Sequence, residues 1–137
     1  MRIVSACLLG INCRYNGGNC ENKKILELAK KETLIPVCPE QLGGLTIPRA
    51  PSEKKGNKVI TKEGKDVSAE FKKGAEETLK IAKLHKIKEA IMKQKSPSCG
   101  SGKLYDGSFS GKTTEGDGIT TALLKKNGMI IKTEEDF

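Results

Sequence analysis

Apolar residues in this chain fall into short runs separated by glycine, proline and charge. Ile3 to Ala6, Leu34 to Cys38, Ala90 to Lys93 and Met129 to Lys132 each hold a compact apolar stretch. Runs of this length, bounded by Gly and Pro, are the pattern of buried strands in a parallel sheet. Between them the period changes to that of a helix. The segment Asn22 to Lys31 places Ile25, Leu28 and Ala29 on one stripe. A longer helix, capped by Asp66 or Ser68, carries Val67, Phe71, Ala75, Leu79 and Ala82 near four-residue spacing. A third runs from Ile119 to Lys126 and stops at Asn127-Gly128. The stretch Gly43 to Gly64 is loop-rich, with a short ribbon expected at Lys58 to Thr61. The longest irregular stretch, Ser96 to Gly118, holds Tyr105, Phe109 and many glycines, which predicts an ordered binding loop. Alternating strands and helices predict an α/β protein: a small three-layer, Rossmann-like fold with a mostly parallel sheet, one domain over residues 1–137.

Composition narrows the partners. The chain of 137 residues has a net charge of +8, from 25 basic and 17 acidic residues. That charge invites a nucleic-acid partner, but aromatics are only 4% and Trp is absent, so stacking platforms for bases are scarce. Lysines alternate with glutamates over Glu70 to Lys83, as on a solvated helix face. The opening apolar run is too short for a signal peptide or a membrane span, which points to a cytoplasmic protein without a membrane partner. In a reducing compartment five cysteines serve as ligands or nucleophiles sooner than as disulfides, and the odd count agrees.

The cysteines carry the chemistry. Cys7, Cys38 and Cys99 each follow an apolar run and precede Gly or Pro within a few residues. Ligands in open α/β sheets bind outside the carboxyl ends of the strands, so three thiols delivered to that rim make a metal or cluster site. The plain alternative is that they are small buried hydrophobes. Cys38-Pro39-Glu40 sets a carboxylate beside one thiol, suited to activating water, or equally an ordinary helix-start charge. In Ser96-Pro97-Ser98-Cys99-Gly100, Pro97 fixes φ and Gly100 permits a positive φ, holding two hydroxyls and a thiol in one bend. The bland counterpart is a turn whose serines bond backbone. Gly111-Lys112-Thr113 fails the phosphate-loop spacing, since Asp106 stands where the first glycine belongs. Cys7, Cys13 and Cys20 are too widely spaced for a structural zinc site, and His85 lies in a basic helix as a surface residue.

Together these motifs resemble the thiouracil desulfurases. The resemblance rests on Ser5 to Gly10, Cys13 to Gly17, Cys38-Pro39-Glu40 with Gly43-Gly44-Leu45 and Pro48-Arg49, Ser96 to Gly100, and Tyr105-Asp106-Gly107. It runs in order over nearly the whole chain; Asn16 departs from it, where the family often has Asp. It implies a [4Fe–4S] cluster held by three cysteines, Cys7, Cys38 and Cys99, with Cys13 in reserve and Cys20 outside the motif. The remaining iron would take the sulfur of a thiolated pyrimidine. Glu40 and Ser96 would act as the catalytic pair, with Ser98 an alternative to Ser96. The implied reaction is non-redox: 2-thiouracil or a similar small thiolated base becomes its oxo form and hydrosulfide. Other functions compatible with the same cluster are sulfur transfer, tRNA thiolation chemistry, or an iron–sulfur or thiol redox sensor.

Overall fold

The computed structural model describes all residues 1–137. Four strands, β1 (Arg2–Ser5), β2 (Leu34–Val37), β5 (Glu89–Met92) and β8 (Ile130–Thr133), pair in parallel in the order β2-β1-β5-β8. Helix α1 (Lys23–Ala29) connects β1 to β2, and Asn22 caps it by accepting from the amides of Lys24 and Ile25. β1 then pairs with β5 on its other side, so the direction of chain progress reverses at β1.

Alternation along the strands sorts their side chains onto two faces. Val4 and Ile91 pack with Leu8 and Ile25 on the α1 side. Ile3, Ala90 and Met92 pack with Ala82 and Leu124 on the other side, from helices α3 (Ser68–Leu84) and α4 (Ile119–Lys126). The result is the expected three-layer, Rossmann-like α/β arrangement. No helix is long and apolar enough to cross a membrane.

Local details depart from the expectation. The residue before α3 is Val67, which makes no side-chain cap. Asp66 Oδ1 accepts the Ser68 amide instead, and Ser68 Oγ accepts from the amide of Val59. β4 (Lys58–Thr61) forms the anticipated ribbon, but its antiparallel partner β3 (Ser52–Lys55) has no apolar pattern to announce it. Val59 joins Val67 and Phe71 in a small cluster that anchors this hairpin to α3. The long loop contains a second ribbon, β6 (Leu104–Tyr105) with β7 (Thr113–Thr114). His85 is exposed, as its basic surroundings suggest.

A short helix, α2 (Pro39–Leu42), follows β2 directly. It crosses α3 at two glycines. A Cβ on Gly74 would stand 1.8 Å from the Pro39 carbonyl oxygen, and one on Gly43 would stand 1.9 Å from that of Glu70. Backbone thus meets backbone there, which only glycine permits.

Candidate functional site

A cavity of about 410 Å³ opens at the carboxyl edge of the sheet. It sits beside β1, where chain progress reverses, the place where ligands bind in open α/β sheets. Four of the five cysteines line it: Cys7, Cys13, Cys38 and Cys99. Cys7 stands on the 3₁₀ turn Ala6–Leu9 that ends β1, and Cys38 immediately precedes α2. Cys99 is buried in the turn after β5 and also belongs to the main core. Cys20 lines no part of the cavity; it packs beside Val4, Leu8, Ile25 and Ile91, with its amide on the Cys7 carbonyl oxygen at 2.9 Å.

Cys13 is only 3% exposed. Its carbonyl oxygen accepts from Cys38 Sγ at 3.7 Å and from Arg49 Nη2 at 2.8 Å. The Cys13 thiol also meets those of Cys38 and Cys7. The Cys38 contact lowers its pKa, but the Cys7 contact and burial outweigh it and leave it at about 11. Cys38 is raised through its hydrogen bond with Cys13 and then by burial. Burial pushes Cys99 up to about 12. These three thiols are therefore neutral at pH 7 in the protein alone, and a metal group would bind with release of protons. Thiols gathered around one cavity in this way fit an iron–sulfur cluster, which takes thiolate ligands and is larger than one ion.

Glu40 lines the cavity from the first turn of α2, with its side chain only 19% exposed. Burial raises its carboxyl above the usual range, against the opposing charge and hydrogen bond of Arg49. Arg49 Nε donates to Glu40 Oε1 at 3.1 Å, Nη2 to the Cys13 carbonyl, and Nη1 to the Thr46 carbonyl at 3.2 Å. One guanidinium thus ties the carboxylate to the Cys13 loop. Nothing in the sequence pattern singles Arg49 out beyond its place in the Pro48-Arg49 motif.

The two serines separate. Ser96 lines the cavity, and its Oγ accepts from the amides of Ser98 and Cys99, both at 3.1 Å. Its hydroxyl proton remains available as a donor. Ser98 is 1% exposed and does not line the cavity; its Oγ bonds Thr120 Oγ1 of α4 at 2.8 Å. The turn binds both hydroxyls, but only one stands at the cavity. Gly100 has no positive φ, contrary to the expectation. It is required by close approach, since a Cβ there would lie 2.6 Å from the Leu104 side chain and 2.9 Å from the Ser96 carbonyl oxygen.

The ribbons and their loops add Glu53, Tyr105 and Phe109 to the cavity lining, to which Arg14 and Tyr15 also belong. Lys93, at the end of β5, lines the cavity while paired with Glu134 at 2.9 Å. Of these, Tyr105 and Phe109 are signalled by the sequence as aromatics in the long glycine-rich loop, and Arg14 and Tyr15 by the motif Cys13 to Gly17; Glu53 and Lys93 are not.

A family model described as 2-thiouracil desulfurase matches residues 3–136. A Bacillus subtilis (strain 168) protein carrying the name uncharacterized protein YbbK is 42% identical over 147 residues, covering 100% of this chain and 97% of the relative. A solved structure described as the [4Fe-4S]-dependent thiouracil desulfidase TudS (DUF523Vcz) is 42% identical, with a TM-score of 0.94. That match covers 99% of this chain and 91% of the other.

Proposed function

We propose, because this chain belongs to the 2-thiouracil desulfurase family, that it hydrolyses the C=S bond of a small thiolated pyrimidine such as 2-thiouracil. Water supplies the oxygen, the base leaves in its oxo form, and sulfur leaves as hydrosulfide. No electrons are transferred. Residues 1–137 act as one desulfurase domain. The observation that carries this function is the convergence of four thiols, Glu40 and Ser96 on one cavity in a chain of this family.

Cys7, Cys38 and Cys99 would hold the [4Fe–4S] cluster, with Cys13 in reserve. When bound through three thiolates, the cluster supplies an iron with an open position, a Lewis acid with affinity for sulfur. Glu40 is the group that takes the proton from attacking water, and its raised carboxyl readily returns that proton. Arg49 holds the Glu40 oxygen in place and offsets its charge. Ser96, fixed by two amides, donates its hydroxyl proton toward the substrate. Ser98 is left with a structural part, joining the turn to α4.

Anaerobic reconstitution with iron and sulfide, followed by incubation with 2-thiouracil, tests this function. One uracil and one hydrosulfide should appear per thiouracil consumed, without added reductant or oxidant. A reconstituted protein that carries the cluster but leaves thiolated pyrimidines intact would overturn it.

A further inference from the structure

Three of the five aromatic side chains, Tyr15, Tyr105 and Phe109, line the cavity that holds the thiols. The fully buried core contains one aromatic, Phe71, and is otherwise aliphatic, so core packing does not account for that convergence. The three differ in how they are held. Tyr15 and Tyr105 are 37% and 36% exposed, and the Arg14 guanidinium already lies over the Tyr15 ring, 5.4 Å from its centroid.

Phe109 is half-buried and has φ 56, the left-handed region that a bulky residue seldom occupies. Such backbone persists only where the surroundings impose it, and it concentrates at ligand sites. Here the constraint comes from outside the loop. Glu53 Oε1, on β3, accepts from the amides of Gly107 at 3.0 Å and Phe109 at 3.1 Å. Gly107 turns the chain with φ 92 against the backbone of Lys54.

We infer that Phe109 provides the stacking face for the substrate ring and that Glu53 is the positioning residue that holds it, an inference that rests on the proposed desulfuration. A pyrimidine is a flat, neutral ring whose polar atoms lie on its edge. Thiols, Glu40 and Ser96 can address that edge, whereas the face needs an apolar, polarisable wall. Phe109 selects flat rings. 5,6-Dihydro-2-thiouracil keeps the thiocarbonyl but has a puckered ring, so it forfeits this contact.

The test combines calorimetric binding of 2-thiouracil and uracil to the anaerobic holoprotein with steady-state turnover of 2-thiouracil and its dihydro form. Phe109→Leu should raise Kd and KM about tenfold or more, leave kcat and cluster absorbance little changed, and abolish the preference for the flat ring. Phe109→Tyr should restore all three. Phe109→Gly should lose affinity equally while keeping thermal stability, because glycine adopts positive φ freely. Glu53→Ala should reproduce the affinity loss, and Glu53→Gln, which keeps an acceptor oxygen, should spare it. Unchanged Kd and ring preference in Phe109→Leu overturn the stacking assignment whether or not turnover is seen. Phe109-dependent binding of a base that is never desulfurised upholds the stacking and overturns the proposed reaction. Absence of any base binding overturns both.

Discussion

At the amino end of the sheet Arg2 bonds Glu32 at 2.6 Å and reaches Glu89 at 3.4 Å. At the carboxyl end Arg49 bonds Glu40 at 3.1 Å. The partners are alike, yet the carboxyl groups move in opposite directions. Glu32 is lowered, chiefly by its hydrogen bond from Arg2, and Glu40 is raised, chiefly by burial. Side-chain exposure falls from 29% at Glu32 to 19% at Glu40, and the Arg partner goes from 16% to 8%. Water around the first pair leaves the attraction dominant. Its exclusion from the second makes desolvation dominant. One chemical pairing therefore lowers its carboxyl at one end of the strands and leaves it raised at the other, the state the proposed acid–base role of Glu40 calls for.

The strongest way to break that contrast is at the thiols. Cys38→Ala and Cys99→Ala should each abolish cluster uptake on anaerobic reconstitution, read as loss of the visible iron–sulfur absorbance. Cys20→Ala, outside the cavity, should keep it. Cluster uptake by Cys99→Ala but not by Cys20→Ala would reverse the ligand assignment. Next, Glu40→Gln should retain that absorbance while turnover falls about 10²–10⁴-fold, the usual contribution of a general acid–base group. Ser96→Ala should follow it, and Ser98→Ala should show in thermal stability rather than in kcat. Full activity in Glu40→Gln would leave the carboxyl-end pair as merely structural.

Gly74→Ala probes the support beneath Glu40. Its Cβ would overlap the Pro39 carbonyl oxygen, so urea unfolding should show a loss of roughly 1–3 kcal/mol, with turnover reduced as α2 shifts. An unperturbed midpoint would show that the helices can separate without cost. The smallest effect belongs to the amino end. Because the folded pKa of Glu32 is depressed, its contribution is present above the ordinary glutamate pKa and disappears as pH falls through the folded value. Glu32→Gln should cost about 1 kcal/mol near neutral pH, and the gap in urea midpoint should close in acid. A gap that persists well below the carboxylate range would show that the pair's charge contributes nothing.

The contrast also explains what the sequence revealed. Strands β1, β2, β5 and β8 lie within one residue of the expected runs. The central strands β1 and β5 are buried on both faces and write a continuous apolar signal, while the edge strands β2 and β8, only partly buried, still carry short apolar runs. The thiols followed from those strand ends. Arg49 and Glu53 did not, since they act by reaching across segments distant in sequence and leave no periodic trace. β3 was hidden because Ser-Glu-Lys-Lys becomes a strand only through its pairing with β4. Ser96 and Ser98 could not be told apart, being two residues apart in one turn. Their positions separate only once Thr120 of α4 packs behind that turn. Gly100 looked like a conformational necessity and proved a spatial one.

The backbone crossing at Gly43 and Gly74 bears on how far this protein can be divided. Helix α2 has four residues, far below the length at which a helix persists unaided in water. Its orientation, and with it the direction in which Glu40 points, is borrowed from α3, which begins 26 residues after α2 ends. A fragment ending before Ser68 would retain Cys7, Cys13, Cys38 and Glu40 in sequence but have nothing to set the carboxylate's angle. Grafting the rim of this sheet onto another α/β scaffold would transfer the thiols readily. Glu40 would keep its orientation only if the whole of α3 came across with it.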